Sequence, residues 1–165
     1  MKIKLAAVVS DVRQSVAEIL SLPASDVADN RALKKDQKVL ALWAADCAEH
    51  VLPFFEERYP KDRRPRGAIE ALRRWAATGV FRMADVRRTS LAAHTAARRA
   101  KREDAIAAAR AAGQAMASAH IPTHALGAAA YAIKAAAVHS GNTDDGLVKE
   151  RSWQRQRLRE LAGRS

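Results

Sequence analysis

The chain has 165 residues, of which 48% are apolar and 28% charged, with a formal net charge of +11. That length suits one domain whose core needs no cross-links, and the composition is that of a folded chain rather than a disordered one. A single cysteine, Cys47, excludes an intrachain disulfide scaffold.

At the N-terminus Lys2 and Lys4 precede an apolar run that ends at Val9 and is followed by Asp11. The run is too short for a secretory core or a membrane span, so the chain reads as cytoplasmic, with no membrane partner. Leu5, Val8, Val9, Val12, Val16, Ile19 and Leu20 follow helical spacing over residues 3–20. Residues 21–31 read as a connection. The first 31 residues could pack on the rest or form an interaction arm, and residues 1–34 are set apart as an N-terminal helical extension.

Residues 35–165 read as the bundle proper. Leu40, Ala44, Cys47, Val51 and Phe54 alternate spacings of four and three, which predicts a helix, with a kink or restart at Pro53. Pro65 sits near the first turn of the next helix, over 66–77, and Thr78-Gly79 closes it. A further helix is predicted over 82–101. Glu103 and Asp104 favour a new helix start, because carboxylates suit the positive end of the helix dipole. Between Ala105 and Val138 the only formally charged residues are Arg110 and Lys134. Helices so apolar on nearly every side belong in the middle of a bundle. The C-terminal helix, about 146–162, is basic and its apolar positions are unevenly spaced. These patterns, together with the alanine content, predict an all-α, single-domain bundle of about six to seven helices around a buried Ala-rich central pair.

Chemical motifs are sparse. Gly141 and Gly146 have the spacing of a phosphate loop, but Leu147-Val148 stand where lysine and a hydroxyl are required. No G-x-G-x-x-G occurs. Ser90 and His94 are four apart on a helix, without the orienting third group and oxyanion site that a nucleophile needs. Asp46, Glu49 and His50 lie on adjoining faces of one helix. His94 and His120 fall in apolar stripes, and His124 follows Pro122. Bundle interiors do hold carboxylate–imidazole metal sites. No Glu-x-x-His appears, however, so the six residues are read as a buried, mutually hydrogen-bonded polar cluster. Cys47 reads as a small core residue. No catalytic residue, metal or cofactor is assigned.

Basic residues cluster at 58–66, 82–88, 98–102 and in the last helix. Arg63, Arg64, Arg66, Arg87 and Arg88 are the candidate partner-binding surface. Few aromatics interleave with them, and the segment after Gly113 lacks the polar contact set of a recognition helix. Nucleic acid is therefore a second candidate partner, with weak binding expected. A metal- or ligand-binding bundle is a third reading.

Four stretches carry a resemblance: LALWAADCAEHVLPFFE from Leu40 to Glu56, RRPRGAIEALRRW from Arg63 to Trp75, the set His94, Gly113, His120, His124 and Tyr131, and ERSWQRQRL from Glu150 to Leu158. Over about residues 35–160 the chain resembles a bacterial group of all-helical immunity proteins of toxin–immunity systems. The resemblance implies a non-enzymatic protein that binds and neutralises a cognate protein toxin. Immunity proteins that block nucleases are expected to be acidic, and a chain at +11 would be repelled by a basic nuclease cleft. The toxin is therefore expected to present an acidic surface.

Overall fold

The computed structural model describes residues 3–164. Helix α1 spans Leu5–Ile19, followed by a 3-10 turn at Ala24–Ala28, the single-turn α2 (Asn30–Leu33) and a second 3-10 turn at Lys34–Asp36. Then come α3 (Gln37–Val51), the single turn α4 (Pro53–Glu56), α5 (Arg64–Thr78) and α6 (Met83–Arg99). Last are α7 (Glu103–Ala117), α8 (His124–His139) and α9 (Asp144–Gly163). Seven of these helices run 15 to 20 residues. No strand occurs among the described residues.

The breaks have local causes. Pro53 lacks the amide that would continue α3, and it instead occupies the first position of α4. Gly79 ends α5 in the left-handed region at φ 70°, where a side chain would be strained. Thr143 caps α9, its hydroxyl accepting from the Gly146 amide.

Helices α7 and α8 form the central pair: α7 packs against α3, α4, α5 and α6, and α8 packs against α1, α3 and α9. The buried positions of α7 and α8 are mostly alanine. Ala108, Ala111, Ala112 and Ala115 on one side, and Ala128, Ala129, Ala132 and Ala135 on the other, are fully buried. Side chains this small bring helix axes to the near end of the usual ~8–10 Å spacing. The bulk of the core is supplied elsewhere, by Trp43, Leu40, Phe55, Leu72, Ile133 and Leu158.

Of the two fates open to the N-terminal segment, the structure shows packing. Val8, Val12 and Val16 of α1 enter the same core, and α1 lies on α8 and α9. Arg151 pairs with Asp11 at 3.3 Å, and Arg155 with Glu18 at 3.1 Å.

Candidate functional site

The carboxylates of α3 meet cations from two other helices. Arg73 of α5 donates to Asp46 Oδ1 at 2.9 Å and to Glu49 Oε2 at 2.8 Å. Arg157 of α9 donates to the other Asp46 oxygen at 2.6 Å. Asp46 thus joins three helices, with its side chain only 14% exposed. Beside it, His50 bonds Glu150 of α9 at 2.8 Å and stacks on Trp153, ring centroids 3.8 Å apart. Gln154 donates to the second Glu150 oxygen and to the Ala129 carbonyl, while the Trp43 indole donates to the Gln154 carbonyl at 2.9 Å. The hydrogen bond that His50 donates to Glu150 raises the His50 pKa against the opposing effect of burial.

Together Asp46, Glu49, His50, Arg73, Trp153 and Arg157 line an open depression. Its carboxylates are held by Arg73 and Arg157, and the Nδ1 of His50 is engaged by Glu150. Cys47, beneath it, is fully buried, and burial, with Glu150 and Asp46 nearby, pushes its thiol pKa well up. A thiol held protonated is a poor nucleophile.

The three other histidines of the expected cluster lie elsewhere, His94 on α6, His120 just past α7 and His124 at the start of α8. His94 Nδ1 accepts from Arg110 at 3.1 Å, and its ring covers Gly113 so closely that a Cβ there would come within 2.6 Å of Nε2. His124 donates through Nδ1 to Gln114 Oε1 at 2.7 Å, and Gln114 in turn lies over Gly127. Burial lowers both imidazole pKa values. Arg110, Arg98 and His124 add to the effect at His94, and His120 at His124. Ser90 donates to the Gly113 carbonyl rather than pairing with His94. His120 is exposed and stacks against Phe81 at 5.9 Å.

The expected single buried cluster therefore divides into two sites. Glu49, His50 and His120 stand at the surface, while Asp46, His94 and His124 are half-buried. Glu49 and His50 sit at the α3 rim, where α5 and α9 reach them only with long side chains. His120 falls just past the end of α7, where the apolar stripe has run out. Among the described residues, no group of three or more His, Cys, Asp or Glu side chains converges as a ligand set.

A second correction concerns the arginines. Arg64 forms a two-point pair with Asp62, Arg66 does the same with Glu56, and Arg63 bonds Glu70 at 3.3 Å. Those bonds lower the Asp62 and Glu56 pKa values. This corner is neutralised within the chain. Arg87 and Arg88 lie at the other end of the α5–α6 hairpin, because Ala71–Thr78 faces Arg82–Thr89 there. Arg88 reaches Asp85 at 3.5 Å, so the five residues do not form one patch.

The sequence reading missed Arg73, Glu150, Trp153 and Arg157. Only Glu150 had a signal: Glu150, Gln154 and Leu158 recur every four residues and are the buried positions of α9. The inward stripe is mostly polar, which explains the uneven apolar spacing. A second missed knot is Asp104, which is 2% exposed. It accepts from Arg102, from His139 at 3.0 Å and from the Ala105 amide at 2.8 Å. Burial opposes its ionisation, yet these bonds hold its pKa down to about 2.

Fold and site together define an all-helical protein in which, among the described residues, most carboxylates are paired within the chain while many cations are not. The model of the family described as Imm-5 like putative immunity protein matches residues 31–161. The chain belongs to that family, and α1 lies outside the matched segment. No curated protein and no solved structure matches the chain. No helix among the described residues is long and apolar enough to cross a membrane.

Proposed function

We propose that this protein is an immunity protein that binds and neutralises a cognate protein toxin in the cytoplasm of the cell that makes it, without catalysing a reaction. The observation that carries the reading is the family match, which runs from α2 nearly to the end of α9. The chemistry of the depression on α3 supports it. Asp46, Glu49 and Glu150 each hold an arginine or histidine partner, so these carboxylates are used to tie α3, α5 and α9 together. Arg63, Arg64 and Arg66, the densest arginine run, are likewise paired with carboxylates. That leaves them weak phosphate ligands and speaks against nucleic acid as the primary partner.

The test is co-expression. A cell producing the cognate toxin should grow only when the protein is also made, and the two purified chains should elute as one stoichiometric complex. Growth arrest unrelieved by the protein, with no complex formed, would defeat the reading.

A further inference from the structure

Between Val86 and Thr143 the chain has only two carboxylates, Glu103 and Asp104. Three helices of this stretch open to solvent along single lines. On α6, Arg87, Leu91, His94 and Arg98 recur at spacings of four, three and four, and Leu91 is 55% exposed. On α7, where nearly every other side chain is buried, Arg110, Gln114 and Ala117 remain accessible. On α8 the accessible line is His124, Gly127, Tyr131 and Lys134. Cross-links join the lines into one surface. His94 bonds Arg110 across α6 and α7, and Gln114 bonds His124 across α7 and α8. Gly113 and Gly127 lie where a Cβ would collide with His94 and Gln114, so the helices approach closely and the surface stays shallow.

The three lines contain no carboxylate. Arg87, Arg98, Arg110 and Lys134 have no ion-pair partner among the described residues; Arg98 reaches only Thr95, and Arg110 only His94. This contrasts with the α3–α5–α9 side, where arginines and carboxylates are matched. An apolar element accompanies the charge: Leu91 stands among the cations, and Phe81, 43% exposed, joins the end of the surface through its stack on His120.

We infer that the α6–α7–α8 face is the docking surface for an acidic protein, with Leu91 and Phe81 as its apolar anchors. This rests on the immunity reading and names the surface and the partner chemistry. Charge complementarity selects the occupant. Unpaired cations with no nearby carboxylate repel a basic partner and steer an acidic one. The mixture favours protein over nucleic acid, since four permanent cations spread over three helices, with an exposed leucine between them, suit an interface with an apolar core and charged rim. Three helices about 9 Å apart, exposed over roughly 20 Å, present on the order of 500 Å². That approaches the ~800 Å² per partner of a standard interface.

The experiment measures affinity by titration calorimetry, using the full chain and the toxin polypeptide that the co-expression test identifies. The variants are Arg87→Glu/Arg98→Glu and Leu91→Asp, with Arg63→Glu as a control on the neutralised corner. All the substituted side chains are exposed, and circular dichroism confirms folding of each variant. Each face variant should weaken binding about 100-fold, as like-charge contact or a lost anchor implies, while Arg63→Glu stays within about 3-fold. Tight toxin binding unchanged by the face variants would overturn this inference and leave the immunity reading standing. A wild-type chain that does not bind the toxin would overturn both. Sub-micromolar binding to a 24-base-pair duplex or to phosphatidylserine vesicles at about 150 mM salt, abolished by the same variants, would reassign the face to phosphate.

Discussion

Asp104→Asn isolates one charge at the base of α7 without changing its shape. In the folded protein the carboxylate is 2% exposed, and Arg102, His139 and the Ala105 amide hold its pKa down to about 2, against an ordinary value of 3.8. The sign follows from proton binding. A depressed folded-state pKa means that the unfolded chain binds the proton more readily, so the contribution is complete above the unfolded value and is lost as pH falls through the folded one. A shift of nearly two units at ~1.4 kcal/mol each gives about 2 kcal/mol at pH 7, about 1 at pH 3 and well under 1 at pH 2. Phe54 stacks on His139 at 3.9 Å, so the same loss should loosen α4 from the start of α7. Urea denaturation of wild type and variant at pH 7, 3 and 2 is the assay. The gap between the two should shrink in that order. A variant as stable as wild type at pH 7, or a gap equally large at pH 2, would refute the reasoning.

The imidazole of His50 works in the opposite direction. Its pKa is raised by Glu150, so it adds stability that is full below the ordinary value of about 6.5 and is lost as pH rises through the higher folded value. His50→Gln should flatten that alkaline decline in melting temperature, as differential scanning fluorimetry across pH 6 to 9 would show. Gly113→Ala should cost about 1–3 kcal/mol by overpacking against the His94 ring. His94→Ala should relieve much of that cost, so chemical denaturation of both single variants and the double should reveal favourable coupling. Asp46→Ala strands Arg73 and Arg157 and should destabilise by about 2 kcal/mol, between the values typical of exposed and buried pairs. Equilibrium unfolding with no change in midpoint would count against the ion-pair junction.

Helix content and most helix ends were legible in the sequence because they are set locally. Pro53, the Thr78-Gly79 stop and the acidic start at Glu103 and Asp104 each act within one turn. The burial of the alanine-rich pair followed from the lack of charge between Ala105 and Val138. The side-chain partnerships were not legible, because they depend on which helices become neighbours. His50 meets Glu150 across 100 residues, and Asp46 meets Arg157 across 111. Each member looks like an ordinary surface charge along its own helix. The stripe rule also weights apolar residues, so it undervalued α9, whose inward line is Glu150, Gln154 and Leu158. His120 shows the converse error: it continues an apolar stripe in sequence, but α7 ends at Ala117 and the face it would have joined turns away.

The net charge of +11 gains a meaning once pairing is separated from sign. On the α3–α5–α9 side each arginine that touches the site has a carboxylate at 2.9 Å or closer, and the bonds join helices distant in sequence. Charge there serves cohesion, and removing it should register in stability. On the α6–α7–α8 face the cations have no such partner, so cohesion falls to close packing between the helices: Ser90 to the Gly113 carbonyl, His94 on Gly113, Gln114 on Gly127. Charge reversal at Arg87 and Arg98 should therefore leave the melting temperature nearly unchanged while altering association with an acidic protein. Asp46→Ala should do the reverse. If one substitution moved both quantities equally, the charge would have to be treated as a single field rather than as two faces with different work.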